Sequence, residues 1–126
     1  DKLVVMTDDG SYGTKGLVTT AIEELVAQGN QYDEVIAIGP MMMMKFVCQT
    51  TQKLGLKTVV SMNAVMVDGT GMCGGCRVTV GGQTKFACVD GPDFDGHQVD
   101  WDEIIKRVSM YKEFEANCNL MNQEVK

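Results

Sequence analysis

Apolar positions in this chain fall into blocks of two kinds. Compact runs occur within residues 2–7 (Leu3, Val4, Val5, Met6), 34–39 (Val35, Ile36, Ala37, Ile38) and 57–62 (Val59, Val60). Short runs rich in β-branched residues and bounded by Asp, Gly or Pro predict strands. Between them lie two longer segments read as helices. Over 16–29, Leu17, Ala21 and Leu25 recur beside Val18, Ile22 and Val26, and Gly29 is placed to end the helix. Over 41–54, Pro40 is suited to open a first turn, Lys53 falls in the last turn and Gly55 follows as a stop. Strands alternating with helices of this length predict an α/β fold with right-handed crossovers and a parallel sheet.

After Asn63 the pattern changes. Residues 68–92 are dominated by Gly, Asp and Thr, and residues 76–88 alternate apolar and polar side chains around Gly81-Gly82. That alternation predicts a hairpin with a two-residue turn, folding Cys88 back beside Cys76. Helical character returns over 99–117, where Asp100 or Asp102 can cap the start and Ile104, Ile105, Val108, Tyr111 and Phe114 form an apolar stripe. The tail from Cys118 is polar and expected to be mobile. The chain thus divides into 1–66, the sheet and its helices; 67–98, a small lobe; and 99–126, a helix and tail. Because residue 3 already lies in an expected strand, the chain reads as a piece of a longer protein.

The 126 residues suffice for one domain with a modest core. With 11 basic and 17 acidic residues the net charge is −6, and no basic block interrupts it. This argues against nucleic acid, whose affinity rests on phosphate neutralisation, and against anionic membranes. No apolar run approaches the roughly 20 residues needed to cross a bilayer. Free thiols and a reduced metal site point to the cytoplasm.

Three of the five cysteines lie in the glycine-rich lobe. The spacing Asp68-x4-Cys73-x2-Cys76-x11-Cys88 matches the plant-type iron–sulfur arrangement with a carboxylate in the first position. Two sulfurs three residues apart converge on one metal only if the chain turns tightly, which Gly74 and Gly75 permit. Successive N–H groups of such a loop can point at the negatively charged thiolates and sulfides. A structural zinc site would use the same Cys-x2-Cys loop, completed by Cys88 and either Asp68 or His97, though a zinc ribbon carries a second knuckle that this sequence lacks. A Cys73–Cys76 disulfide fits poorly with an odd cysteine count and no secreted framework. A thioredoxin-type pair opens a helix, whereas this one leads into an expected strand. Cys48 and Cys118 read as structural or incidental.

Open parallel sheets bind ligands beyond the carboxyl ends of their strands. Two loops fall at that edge. Residues 7–13 offer carboxylates for ribose hydroxyls and N–H groups for phosphate, and residues 39–42 place a helix amino terminus nearby. Asp8 and Asp9 disfavour a 2′-phosphate, which favours NAD over NADP.

Taken in order, Thr7-Asp-Asp-Gly-Ser-Tyr-Gly13, Ala37-Ile-Gly-Pro-Met-Met42, Val67-Asp-Gly-Thr-Gly-Met-Cys-Gly-Gly-Cys76 and Phe86-Ala-Cys-Val-Asp-Gly-Pro92 closely resemble one family. It is that of the ferredoxin–NADP reductase-like electron-transfer subunits, including the small subunit of NADH-dependent ferredoxin–NADP oxidoreductase and sulfide dehydrogenase and, more distantly, the electron-transfer subunit of dihydroorotate dehydrogenase. The resemblance implies a partial Rossmann-like NAD(P)-binding sheet, an appended [2Fe-2S] lobe, and an FAD barrel and pyrophosphate turn in residues upstream of Asp1. It implies an oxidoreductase in which electrons pass between NAD(P)H, FAD and the cluster, and then to a larger flavin and iron–sulfur partner. By position, Asp68, Cys73, Cys76 and Cys88 look like the cluster ligands. Asp9, Gly10 and Ser11 look like the ribose-side loop, and Gly39, Pro40 and Met42 like the nicotinamide-side loop.

Overall fold

The computed structural model describes residues 2–124. Its central sheet has three strands, β3 (Glu34–Ala37), β4 (Lys57–Ser61) and β7 (Asp93–Asp95), in the order β3-β4-β7. β3 and β4 run parallel with Ile36 opposite Val59, as the βαβ pattern predicts. The helix between them, α2 (Met41–Lys53), lays Met41, Met44, Val47, Cys48 and Thr51 on the core at three- and four-residue intervals. Preceding it, α1 (Val18–Ala27) turns Ala21 inward, and the chain leaves it through Gly29 at φ 87°.

Two expectations about the sheet are corrected. Only Met6–Thr7 (β1) of the first apolar run forms a strand, and it pairs in parallel with Thr14–Lys15 (β2) in a separate two-stranded ribbon. The Val5 carbonyl still accepts from Thr14 N–H, but among the described residues no ladder continues back over residues 2–4, and Leu3 stays exposed. The sheet is also mixed rather than parallel, because β7 returns antiparallel to β4 with Phe94 opposite Val60. The chain reaches β4 this way because Met62 N–H bonds the Pro92 carbonyl and Gly96 N–H bonds the Thr58 carbonyl.

β5 (Arg77–Val80) and β6 (Gln83–Phe86) form the expected hairpin, with Val80 opposite Gln83 and the turn made by Gly81 at φ 58° and Gly82 at φ 77°. Positive φ at both turn residues suits the right-handed twist of the strands and is open to few residues besides glycine. Buried residues of the sheet, the hairpin and α3 (Trp101–Ser109) form one cluster, including Met44, Val60, Val78, Ala87 and Ile104. Asp100 starts α3 by accepting from Glu103 N–H at 3.0 Å, while its own N–H donates to Thr79 of the hairpin. Asp102, the other expected cap, instead pairs with Lys45 of α2 at 2.8 Å.

The single helix expected over 99–117 is broken: α3 ends at Ser109 and α4 runs over Lys112–Glu124. Ile104 is buried and Ile105 and Val108 pack on the core, but Tyr111 and Phe114 are exposed. Core contact therefore ends where the first helix does. The tail expected to be mobile from Cys118 is helical through Glu124, and residues 125–126 lie outside the described residues. Among the described residues no helix is long and apolar enough to cross a membrane.

A buried polar chain ties α2 to the sheet. Thr58 Oγ1 donates to Thr51 Oγ1 at 2.6 Å, and Thr51 Oγ1 lies 3.1 Å from His97 Nε2. His97 is thereby turned to Thr51. Gly96 beside it is closely packed, since a Cβ there would meet Cys48 Sγ and lie 2.9 Å from Val60 Cγ1. Gly96→Ala is expected to cost about 1–3 kcal/mol by overpacking, measured by urea denaturation. The Lys45 hydrogen bond and charge hold Asp102 below the usual carboxylate range. A depressed folded pKa contributes stability above the unfolded-state pKa and loses it as pH falls through the folded value. The stability difference between the parent and Asp102→Asn should therefore be largest near neutrality and close in acid.

Candidate functional site

The glycine-rich lobe is organised by backbone N–H groups aimed at acidic and thiol side chains. Asp68 Oδ1 accepts from Thr70 N–H at 2.9 Å and Oδ2 from Cys73 N–H at 2.8 Å. The Thr70 bond foremost, with the Cys73 bond adding less, holds the exposed carboxyl below its usual range against the opposing effect of burial, which ranks second. Gly69, Gly71 and Gly74 adopt φ of 74°, 83° and 64°. A Cβ at Gly71 would stand 3.1 Å from Val89 Cγ2, so that residue also lets the loop approach the Cys88 segment.

Within the loop, Gly75 N–H donates to Cys73 Sγ at 3.4 Å. At the hairpin base Ala87 N–H donates to the Cys76 carbonyl and Cys88 N–H donates to Cys76 Sγ at 3.4 Å. Cys76 is 2 % exposed, whereas Cys73 lies on the surface. Burial disfavours the Cys76 thiolate, yet hydrogen bonds from the Cys88 N–H and thiol and the Ala87 N–H bring its pKa below the ordinary thiol value. Cys88 moves the other way. Its bond to the Cys76 thiol leads, burial and the negative charges of Cys76 and Asp68 add, and the Gly71 N–H opposes.

Cys76 and Cys88 are thus brought together, with Asp68 close enough to be felt as charge. Among the described residues no three His, Cys, Asp or Glu side chains already surround one metal position. Cys48 stands apart in the core, where burial first and Asp95 second push its thiol up to about 11.

The sequence reading missed two residues that shape this lobe. Asp90 closes the turn carrying Cys88 by accepting from Phe86 N–H at 2.7 Å, while its own N–H donates to the Phe86 carbonyl. An Asp before Gly91-Pro92 is a turn signal that could have shown it. Arg107 of α3 donates from Nη2 to the Gly75 carbonyl at 3.3 Å, which no local pattern announces across 32 residues.

In the first expected nucleotide loop, Asp9 Oδ1 accepts from Ser11 N–H at 2.9 Å, and this bond lowers the Asp9 pKa. Gly10 adopts φ 76°, and Thr7 Oγ1 donates to the Tyr12 carbonyl. An open cavity of about 570 Å³ lies between this ribbon and α2, lined by Met6, Asp8, Leu17, Pro40, Met43 and Phe46 among others. Pro40 is shared with a cleft of about 320 Å³ that holds Met42, Asn63 and Lys112. Of the six residues expected to hold nucleotide, Pro40 therefore faces both hollows and Met42 one. Asp9, Gly10, Ser11 and Gly39 line neither.

Comparison with known proteins narrows the reading. Residues 63–100 match the iron–sulfur cluster binding domain of dihydroorotate dehydrogenase B. Over 113 residues the chain is 53 % identical to a dihydroorotate dehydrogenase B (NAD(+)) electron transfer subunit homolog of Thermotoga maritima, a match covering 90 % of this chain and 40 % of that protein. The chain is thus similar in sequence to electron-transfer subunits of this kind. Another relative is an uncharacterised protein in the adh 3′ region of Clostridium beijerinckii, 58 % identical over 97 % of this chain and 42 % of that one. Among solved structures, a chain from the NADH-dependent reduced ferredoxin–NADP oxidoreductase, described in connection with flavin-based electron bifurcation, superposes with a TM-score of 0.87 at 49 % identity. That superposition covers 100 % of this chain and 44 % of the other. The chain thus spans about two fifths of the curated relatives it matches.

If Asp68 organises the loop as its bonds imply, Asp68→Ala should speed amide exchange at Thr70 and Cys73 while leaving the hairpin amides of β5 and β6 unchanged. Hydrogen–deuterium exchange on metal-free protein reads both regions.

Proposed function

We propose that this chain is the nucleotide- and cluster-binding part of an oxidoreductase subunit that passes electrons between NAD(P)H, FAD and the iron–sulfur centres of a larger partner subunit. The observation that carries this reading is the loop and hairpin that bond Cys73 N–H to Asp68 and Cys88 N–H to Cys76 within the segment matching an iron–sulfur binding domain. A [2Fe-2S] cluster held by those four side chains would supply one-electron chemistry.

The donor set fits such a group. N–H bonds already reach Cys73 and Cys76, and the Gly71 N–H favours the Cys88 thiolate, so the loop supplies the partial positive charge that thiolates require. Asp68 and Cys73 are exposed while Val78 and Ala87 lie in the core, so drawing the first two onto the Cys76–Cys88 pair would fall on surface side chains. Asp68 would exchange its loop bonds for ligation. The extents 1–66, 67–98 and 99–126 then serve as nucleotide part, cluster part and terminal helices.

For the nucleotide we assign Asp9, Gly10 and Ser11 to the ribose side and Gly39, Pro40 and Met42 to the nicotinamide side, supported by Pro40 on the walls of both hollows and Met42 on that of the smaller. Flavin binding is assigned to the remainder of the subunit, by likeness to the longer relatives. A zinc-stabilised binding domain is the less favoured alternative, because the matching family segment is an iron–sulfur one and His97 is engaged by Thr51.

Protein purified without oxygen should be coloured and carry iron and acid-labile sulfide in equal amounts, and Cys76→Ser should lose most of both. Asp68→Cys should keep the cluster and shift its midpoint potential, since thiolate donates more covalently than carboxylate. A colourless protein with one zinc would overturn the assignment.

A further inference from the structure

Arg107 reaches from the last turn of α3 to the loop between Cys73 and Cys76. Its Nη2 donates to the Gly75 carbonyl at 3.3 Å, the side-chain hydrogen bond this guanidinium makes among the described residues. Its Nε is buried without a partner among those residues. Ala64, Val65, Ile104 and Val108 wall the small cavity in which Arg107 and Gly75 meet. Placing a guanidinium against such a wall is costly unless the contact it makes there matters.

Gly75 is bonded on both sides. Its carbonyl accepts from Arg107 while its N–H donates to Cys73 Sγ at 3.4 Å. The first bond anchors the Gly75–Cys76 peptide and the second the Gly74–Gly75 peptide, so the arginine narrows the φ and ψ open to Gly75 and thereby restrains the N–H that reaches the sulfur. The helix supplying the arginine is itself held, by the Asp100 cap, the bond from Asp100 N–H to Thr79 and the Lys45–Asp102 pair.

We propose that Arg107 is a positioning residue for the metal-binding loop, clamping Gly75 so that its N–H remains on Cys73 Sγ and bringing a fixed positive charge to the Cys73–Cys76 turn. This rests on the cluster reading given above. Hydrogen bonds to sulfur and nearby positive charge both favour the more negative, reduced form of an iron–sulfur centre, so Arg107 raises its potential.

The test compares Arg107→Gln and Arg107→Lys with the parent in the full-length protein, by redox titration followed by electron paramagnetic resonance and by amide exchange on metal-free protein. In Arg107→Gln the midpoint potential should fall at equal iron content, and the Gly75 amide should exchange about tenfold faster, as expected for losing a charge-assisted bond worth roughly 1.5 kcal/mol. Arg107→Lys, which keeps the charge and a donor, should recover most of the potential. An unchanged potential in a fully loaded Arg107→Gln, or unchanged Gly75 exchange, overturns the proposal. A parent that holds no iron–sulfur cluster instead overturns the cluster reading, and the Gly75 exchange still decides whether the clamp exists.

Discussion

The N–H group directed at sulfur or carboxylate is the interaction on which the glycine-rich lobe depends. A segment this rich in glycine loses much conformational entropy on ordering. Its side chains bury little surface to offset that loss. What orders it is a set of local bonds from Thr70 and Cys73 to Asp68, from Gly75 to Cys73, from Cys88 to Cys76 and from Phe86 to Asp90. Each places a donor where negative charge belongs, so the forces that fold the loop also prepare it for thiolate chemistry.

That local order would drift without a rigid frame. The frame comes from Val78 and Ala87 at the hairpin base, which share a core with Met44 of α2, Val60 of β4 and Ile104 of α3. Cys76 lies inside that core and Cys73 outside it, so one sulfur is fixed by packing and the other by its loop. Pro40 stands on the opposite end of α2 from Lys53, beside both hollows near the expected nucleotide loops. One helix therefore links the core beneath the cysteine lobe to the two hollows.

Local features were legible in the sequence because local chemistry dictates them. The Pro40 start and Gly55 stop that bracket α2, the Gly81-Gly82 turn and the Cys73–Cys76 spacing each act over a few residues. The failures concern partners distant in sequence. A strand over residues 2–4 needs a ladder partner that no described residue supplies, and the antiparallel arrival of β7 depends on Pro92 and Gly96 finding β4. The break between α3 and α4 follows from where the core stops, which Tyr111 and Phe114 do not reveal by hydrophobicity alone. Spacing marked Asp68 as a candidate metal ligand, whereas its bonds to Thr70 and Cys73 emerge only in three dimensions.

Because hairpin, sheet and α3 share one buried cluster, they melt as one cooperative unit rather than as separable lobes. Any agent that grips the folded cysteine loop and ignores the unfolded chain raises the stability of the whole by mass action. Heat resistance at the distant β3 edge thereby becomes a gauge of what the thiols are holding.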